Sequence, residues 1–256
     1  MNIAIVTGAS SGIGREFVRQ IAFRESSIDA IWVIARRRER LEKLAKRLPI
    51  PVKVLAYDLT NTESLTSLRY ILHAEKPRVR IVVNAAGFGK FGSYKDIAIQ
   101  DQVDMMRLNM EALVRLTQTV LPFMPRGARI INMASMAAFQ PLPYFGLYAA
   151  TKAFVLSYSR ALHEELKERC VAVTAVCPGF VNTEFIGVAQ RSQQPTACTH
   201  YKPLYEARDV VRRALADSRH RRDISVYGLN TNMKRCLAKI TPNPIIMAAW
   251  QWLRKH

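Results

Sequence analysis

The 256-residue chain has no apolar run that reaches the ~18 residues expected of a spanning helix, so no membrane-spanning helix is expected. It has only four cysteines, Cys170, Cys177, Cys198 and Cys236, and their spacing fits neither a metal site nor a disulfide framework. Its five histidines are scattered, so no metal site is expected. No charged lead-in, long apolar stretch or cleavage site precedes the first strand-like run. A secretion signal is therefore not expected, and reduced thiols in a cytoplasmic protein are the simplest reading. Acidic residues are scarce: 20 Asp and Glu stand against 38 Lys and Arg, a net charge of +18. That excess suits nucleic acid, an anionic membrane surface, an anionic ligand or a plain solvated face, and charge alone does not choose.

What the chain does have is alternation. Short, nearly continuous runs of Val, Ile and Ala predict strands over residues 2–7, 30–35, 52–57, 80–84, 129–134, 171–177 and 223–227. Strands buried on both faces of a parallel sheet read this way. Apolar positions at three- and four-residue spacing predict helices over 13–24, 38–47, 62–74, 100–122, 148–168 and 204–217. The expected fold is α/β: a doubly wound, mostly parallel, Rossmann-like sheet of about seven strands with helices on both faces. No linker or low-complexity segment divides the chain, so one domain over 1–256 is expected, with a lid-like loop at 180–203 and a C-terminal extension at 229–256.

The first strand leads into Thr7-Gly8-Ala9-Ser10-Ser11-Gly12-Ile13-Gly14, and then a helix. Gly8 suits the tight turn, Gly12 a close approach of backbone to pyrophosphate, and Gly14 close packing of helix on strand. The free N–H groups and positive end of the helix would face the phosphates. Glycines also make ordinary turns, so it is the strand–turn–helix context that points to a dinucleotide. The second strand ends Val33-Ile34-Ala35-Arg36-Arg37-Arg38, without the acid that an NAD enzyme places on the ribose. Arginines there can hold a 2′-phosphate by paired, charge-assisted hydrogen bonds, so NADP(H) is the expected cofactor. Arg36, at the strand end, is the preferred phosphate ligand, with Arg37 beside it and Ser10, Ser11 and Arg15 as further donors.

Tyr148-Ala149-Ala150-Thr151-Lys152 opens a helix, and i,i+4 spacing puts Tyr148 and Lys152 on one face. A nearby ammonium favours tyrosinate and would lower the phenol pKa toward a general acid or base for a carbonyl or alcohol oxygen. Ser135 follows the fifth strand and can bond the same oxygen, while Asn109 sits inside a helix. Tyr-x-x-x-Lys alone is weak evidence, but these pieces stand in order with Asp58-Leu59-Thr60, Asn84-Ala85-Ala86-Gly87 and Pro178-Gly179-Phe180-Val181-Asn182-Thr183. Over about residues 1–228 the chain resembles the short-chain dehydrogenase/reductase family, in its compact single-domain branch.

The resemblance implies that Tyr148 exchanges the proton, Lys152 tunes it and binds the nicotinamide ribose, Ser135 orients the carbonyl, and Asn109 supports a water chain. It implies that Asp58 and Leu59 cap the adenine and that Asn84, Ala85 and Gly87 lie along the cofactor. Pro178, Gly179, Val181 and Thr183 would hold the nicotinamide end. Substrate contacts would come from Phe88, Met136, Phe145, Phe180 and Phe185, with Phe139, Leu142 and Tyr144 nearby. An apolar carbonyl is implied: a steroid, an acyl chain or an aromatic ketone. The family is usually a homodimer or homotetramer.

Residues 201–256 hold twelve Lys or Arg against four Asp or Glu, and the stretch 241–256 mixes Trp250 and Trp252 with Arg254 and Lys255. Such an end can lie on an anionic membrane, or equally cover the subunit's own apolar surface or a neighbour's. Two alternatives to the enzyme remain. One is a non-catalytic NADPH-binding regulator, which the full Asn109, Ser135, Tyr148 and Lys152 set opposes. The other is a nucleic-acid-binding protein, for which the basic clusters supply no recognised motif.

Overall fold

The computed structural model describes residues 1–191, 198, 199, 201 and 203–254. Much of the lid-like loop and the last two residues lie outside the described residues. Seven parallel strands form the central sheet: β1 (Asn2–Thr7), β2 (Ala30–Ile34), β3 (Val52–Leu55), β4 (Arg78–Asn84), β5 (Arg129–Met133), β6 (Ala172–Val176) and, after two strands of a smaller sheet, β9 (Ile224–Ser225). Their spatial order is β3-β2-β1-β4-β5-β6-β9.

Each strand sends alternate side chains to opposite faces. Ile3, Ile5 and Trp32 pack on one side with α3 (Thr62–Glu75), α5 (Ala112–Val120) and α6 (Gly146–Glu165) through Leu68, Leu116 and Leu162. Ala4, Val6 and Val33 pack on the other side with α1 (Gly12–Arg24), α2 (Arg38–Ala45) and α8 (Ala207–Arg219) through Phe17, Leu41 and Val211. Both faces are covered, which is why these strands read as unbroken apolar runs. Fully burying a side chain such as Phe17 stabilises the fold by roughly 1.5–3 kcal/mol.

Two expectations need correction. The helix expected over 100–122 is α4 (Ile99–Met106) and α5, joined by a π-helical turn at Arg107–Glu111. The helix expected from 204 begins later, because Leu204–Tyr205 is a strand, β8, paired in parallel with β7 (Phe180–Val181). Two residues are too few to show a period. The segment after β9 forms two helices, α9 (Leu229–Ile240) and α10 (Asn243–Leu253), and α7 (Glu184–Ala189) follows β7.

Candidate active site

The strand order reverses between β1 and β4, which opens a crevice at their carboxyl ends. Thr7 ties the two sides together: its hydroxyl accepts from the amides of Ala85 and Ala86, each at 3.0 Å. Gly8 has φ +64°, and a Cβ there would lie 2.8 Å from the Ala85 carbonyl oxygen. A Cβ on Gly14 would meet the Gly8 carbonyl oxygen at 2.4 Å. These two glycines let helix α1 start tight against the sheet. Ser11, at the N-cap of α1, makes no side-chain cap hydrogen bond, and no acidic residue lies in the first turn. Its N–H groups therefore face the crevice beside Ser10, Ser11 and Gly12.

The two arginines at the end of β2 are placed differently. Arg37 donates through Nη2 to the hydroxyls of Ser10 (3.0 Å) and Ser11 (2.9 Å), and Nη1 meets Glu184 at 3.0 Å. Arg36 is 76% exposed on its side chain and reaches Asp58 only at 3.9 Å. Both border the crevice, but Arg37 is the one seated on the loop serines. Asp58 accepts from the amide and hydroxyl of Thr60 at 3.0 and 2.7 Å. Burial pushes its carboxyl upward, but the Thr60 hydrogen bonds and Arg36 outweigh that and hold it below the usual carboxylate range.

At the other end of the crevice, α6 brings Tyr148 and Lys152 onto one buried face. The Lys152 ammonium donates to the Met133 carbonyl at 2.7 Å and lies 5.6 Å from the Tyr148 ring centroid. Tyr148 stacks on Phe145 at 4.3 Å, Phe145 stacks on Phe91 at 4.0 Å, and Phe185 leans on Tyr148 at 5.4 Å. Ser135 caps a short 3₁₀ turn, accepting from the Ala137 amide at 3.1 Å, and its side chain also lies against the phenol. The π-helical turn directs Asn109 inward. Its Oδ1 accepts from the Phe88 amide at 3.1 Å, and its Nδ2 donates to the Phe88 carbonyl at 2.9 Å and to Thr151 at 3.1 Å. One buried amide thus fixes both the loop after β4 and the helix that carries Tyr148.

Burial dominates the titration of the centre. It pushes the Tyr148 phenol well above its ordinary range, with Ser135 pulling the other way, and it lowers Lys152 to about 8. The expected lowering of the phenol is absent because desolvation outweighs the Ser135 hydrogen bond. Cys177, fully buried, is raised to about 12 by the same desolvation, which keeps it a thiol at neutral pH.

A single cavity of about 1210 Å³ runs from the glycine loop to the aromatic cluster. Gly8, Ser10, Ser11, Gly12, Ile13, Gly14, Asp58, Leu59, Ala85, Gly87, Pro178, Gly179, Val181 and Thr183 all line it, as do Phe88, Met136, Leu142, Phe145, Phe180 and Phe185. Asn84 does not. Its side chain turns into the protein, donating to Asn132 at 2.8 Å and Thr117 at 3.1 Å. Phe139 packs in a separate cluster under Arg235, and Tyr144 lies beneath the Arg254 guanidinium at 3.8 Å. The sequence reading missed Glu184, which bridges Arg37 and Arg40, and Trp250, which closes the aromatic end and donates to the Pro143 carbonyl at 2.8 Å. Only the apolar character of the tail hinted at Trp250.

Comparison with known proteins bears on this geometry. The family model described as short chain dehydrogenase matches residues 2–194. A protein of Chromohalobacter salexigens described as sulfoacetaldehyde reductase 2 is 34% identical over 221 residues, covering 82% of this chain and 85% of its own. The very-long-chain 3-oxoacyl-CoA reductase of Anas platyrhynchos is 30% identical over 210 residues, covering 78% of this chain and 66% of its own. The solved structure of a short-chain dehydrogenase from Sphingobium yanoikuyae in complex with NADPH superposes with a TM-score of 0.78 at 28% identity, covering 94% of this chain and 97% of that one. The chain belongs to the short-chain dehydrogenase family and is an oxidoreductase.

Proposed function

We propose that the chain is an NADPH-dependent reductase of apolar carbonyls, working in reverse as an alcohol dehydrogenase. The observation that carries this reading is the meeting of Tyr148, Ser135 and Lys152 at the aromatic end of one cavity whose other end is a phosphate-binding loop.

The donor set suits the dinucleotide. Free helix N–H groups, two serine hydroxyls and the Arg37 guanidinium are the chemistry that phosphates require. Arg37, with Arg36 at the rim, would hold the 2′-phosphate, and Lys152 would hold the nicotinamide ribose. The bound cofactor supplies a hydride to the carbonyl carbon. The chain does the rest. Ser135 donates to the substrate oxygen and orients it. Tyr148, kept neutral by burial, gives its proton to that oxygen as the alcohol forms. The Lys152 ammonium, one helical turn away, stabilises the tyrosinate left behind. Asn109 holds Phe88 and α6 in register, a positioning role.

The relatives differ in the substrates their names state, so the lining decides the class. Phe88, Met136, Leu142, Phe145, Phe180, Phe185 and Trp250 offer apolar surface around the phenol, which suits an acyl chain, a steroid or an aromatic ketone. The test is titration with NADPH and NADH by nicotinamide fluorescence, followed by a panel of apolar carbonyls with Tyr148→Phe as control. Tighter binding of NADPH and turnover lost in the variant support the reading. Binding without turnover on the whole panel would leave an NADPH-binding regulator.

A further inference from the structure

The helices that follow β9 carry a concentration of exposed apolar side chains. Among the described residues, fourteen large hydrophobic side chains are exposed, and seven of them lie between Leu229 and Leu253. On α9 they are Leu229, Met233, Leu237 and Ile240, whose spacing makes one stripe along the helix. On α10 they are Ile245, Trp252 and Leu253, and no residue of that helix is fully buried although none of Asn243–Leu253 is charged. An apolar stretch of this extent on a monomer's surface marks a binding face.

The charge around the stripe identifies the occupant. Residues 229–256 contain five Lys or Arg and no Asp or Glu. On the helical wheel of α9, Lys234 and Lys239 flank the stripe on its two sides. A second copy would bring the same basic rim to the same place, which disfavours pairing through this face. An anionic lipid surface complements both the apolar stripe and its basic flanks. No helix among the described residues is long and apolar enough to cross a membrane, so α9 and α10 suit lying in its surface.

The position of this face matters as much as its composition. Leu237, Ile245, Trp252 and Leu253 are exposed and also line the cavity. The underside of α10 is fixed to the loop that precedes Tyr148: Trp250 bonds the Pro143 carbonyl, and the Arg254 guanidinium covers Tyr144. The mouth of the aromatic end therefore opens within the apolar face.

We propose that α9 and α10 form a docking face that seats the mouth of the cavity on an anionic bilayer, so that the substrate is a lipid-dissolved carbonyl entering from the membrane. The docking half stands on surface chemistry alone; the substrate half rests on the reading of the chain as a carbonyl reductase. The test is co-sedimentation of the full chain with phosphatidylcholine vesicles, with and without phosphatidylglycerol. A control variant, Leu229→Glu/Ile240→Glu, changes two of the most exposed positions of α9, neither of which lines the cavity. Circular dichroism and NADPH binding establish that the variant is folded. Binding to the anionic vesicles should exceed binding to the neutral ones by at least about tenfold, fall with salt, and be lost in the variant. No preference for anionic vesicles, or equal binding by the folded variant, overturns the docking face. A dimer that the same substitutions dissolve overturns it in favour of a second copy. Turnover of a long-chain ketone incorporated in anionic vesicles should exceed turnover in neutral ones in the wild type and not in the variant. Vesicle binding with no carbonyl turnover of any kind would support the docking and overturn the enzymatic reading instead.

Discussion

The Glu184 carboxylate meets the Arg37 guanidinium at 3.0 Å across the rim of the phosphate loop, while the same guanidinium holds Ser10 and Ser11. Hydrogen bonds from Arg37 and then Arg40 keep Glu184 below the ordinary carboxylate range despite some burial. The carboxylate thus occupies part of the positive field that a 2′-phosphate would use. Glu184→Gln is expected to tighten NADPH binding and leave NADH unchanged. The pair is about half exposed, so the gain is small, at most about fivefold, matching the ~0.2–1 kcal/mol of an exposed ion pair. Fluorescence titration of both cofactors measures it, and equal gains for both would remove Glu184 from cofactor discrimination.

Arg37→Ala removes the guanidinium from both serines. It is expected to cost at least about tenfold in NADPH affinity, ~1.4 kcal/mol, with little effect on NADH. Arg36→Ala should cost less, since Arg36 is mostly solvated and reaches only Asp58. The reverse order in the same titration would return the phosphate to Arg36. The sequence placed the arginines at the end of β2 but not their directions. Arg36 and Arg37 are adjacent on a turn, and which one faces the loop depends on backbone angles that residue types do not encode.

The pH profile of reduction should follow Lys152. Its folded pKa, about 8, lies below the ordinary lysine value because burial disfavours the ammonium. Reduction needs neutral Tyr148 as donor and charged Lys152 to stabilise the tyrosinate. Tyr148 is raised, so the phenol stays protonated through the alkaline range and does not limit the rate. Lys152 loses its proton as pH rises through about 8, so kcat for reduction should fall there. Tyr148→Phe should lower kcat by about 10²–10⁴-fold at every pH. Lys152→Met should leave a weak activity without the alkaline limb near 8. A wild-type rate that stays flat well above pH 8 would show that Lys152 is not the group in control.

Much of this centre was legible because its chemistry needs particular residue types at fixed offsets: Tyr148 four before Lys152, Ser135 after β5, glycines between β1 and α1. The parallel sheet was legible because strands such as Ala30–Ile34 and Ala172–Val176 are buried at every residue. The π-helical turn was not, since one extra residue in a helical turn barely disturbs a three-to-four spacing. Asn84 was read as a cofactor contact, but its amide serves a buried network in which Asn132 donates onward to Ser159 at 2.9 Å. The direction of a side chain at a strand end depends on its neighbours across the sheet, which are distant in sequence.

Asn109→Ala is expected to act on stability and rate together. It leaves the half-buried Phe88 amide and carbonyl without the partner they share. An unpaired buried polar group costs about 1–3 kcal/mol, so the melting temperature should fall by several degrees. Asn109→Asp keeps an acceptor for the Phe88 amide and should recover part of the loss. If Asn109 only supported the fold, kcat would be unchanged at temperatures where the variant is folded. As a positioning residue it should lower kcat there while leaving NADPH affinity nearly intact.

Trp250 offers the sharpest test of the cavity's aromatic end. It packs against the cluster that contains Phe145 and Tyr148, and its indole N–H holds the Pro143 carbonyl at 2.8 Å. The next residue, Tyr144, has a left-handed backbone (φ +65°), which a non-glycine residue adopts only when its surroundings enforce it. Trp250 and Arg254 supply that enforcement from α10. Trp250→Phe keeps a ring but loses the bond; Trp250→Ala loses both. KM for an apolar ketone should rise modestly in the first and by about tenfold in the second, consistent with loss of a large buried apolar surface. A small water-soluble carbonyl does not reach the indole and should show little change in KM. Equal effects on both substrates would mean that Trp250 serves the fold alone. No effect on either would place the substrate elsewhere in the cavity.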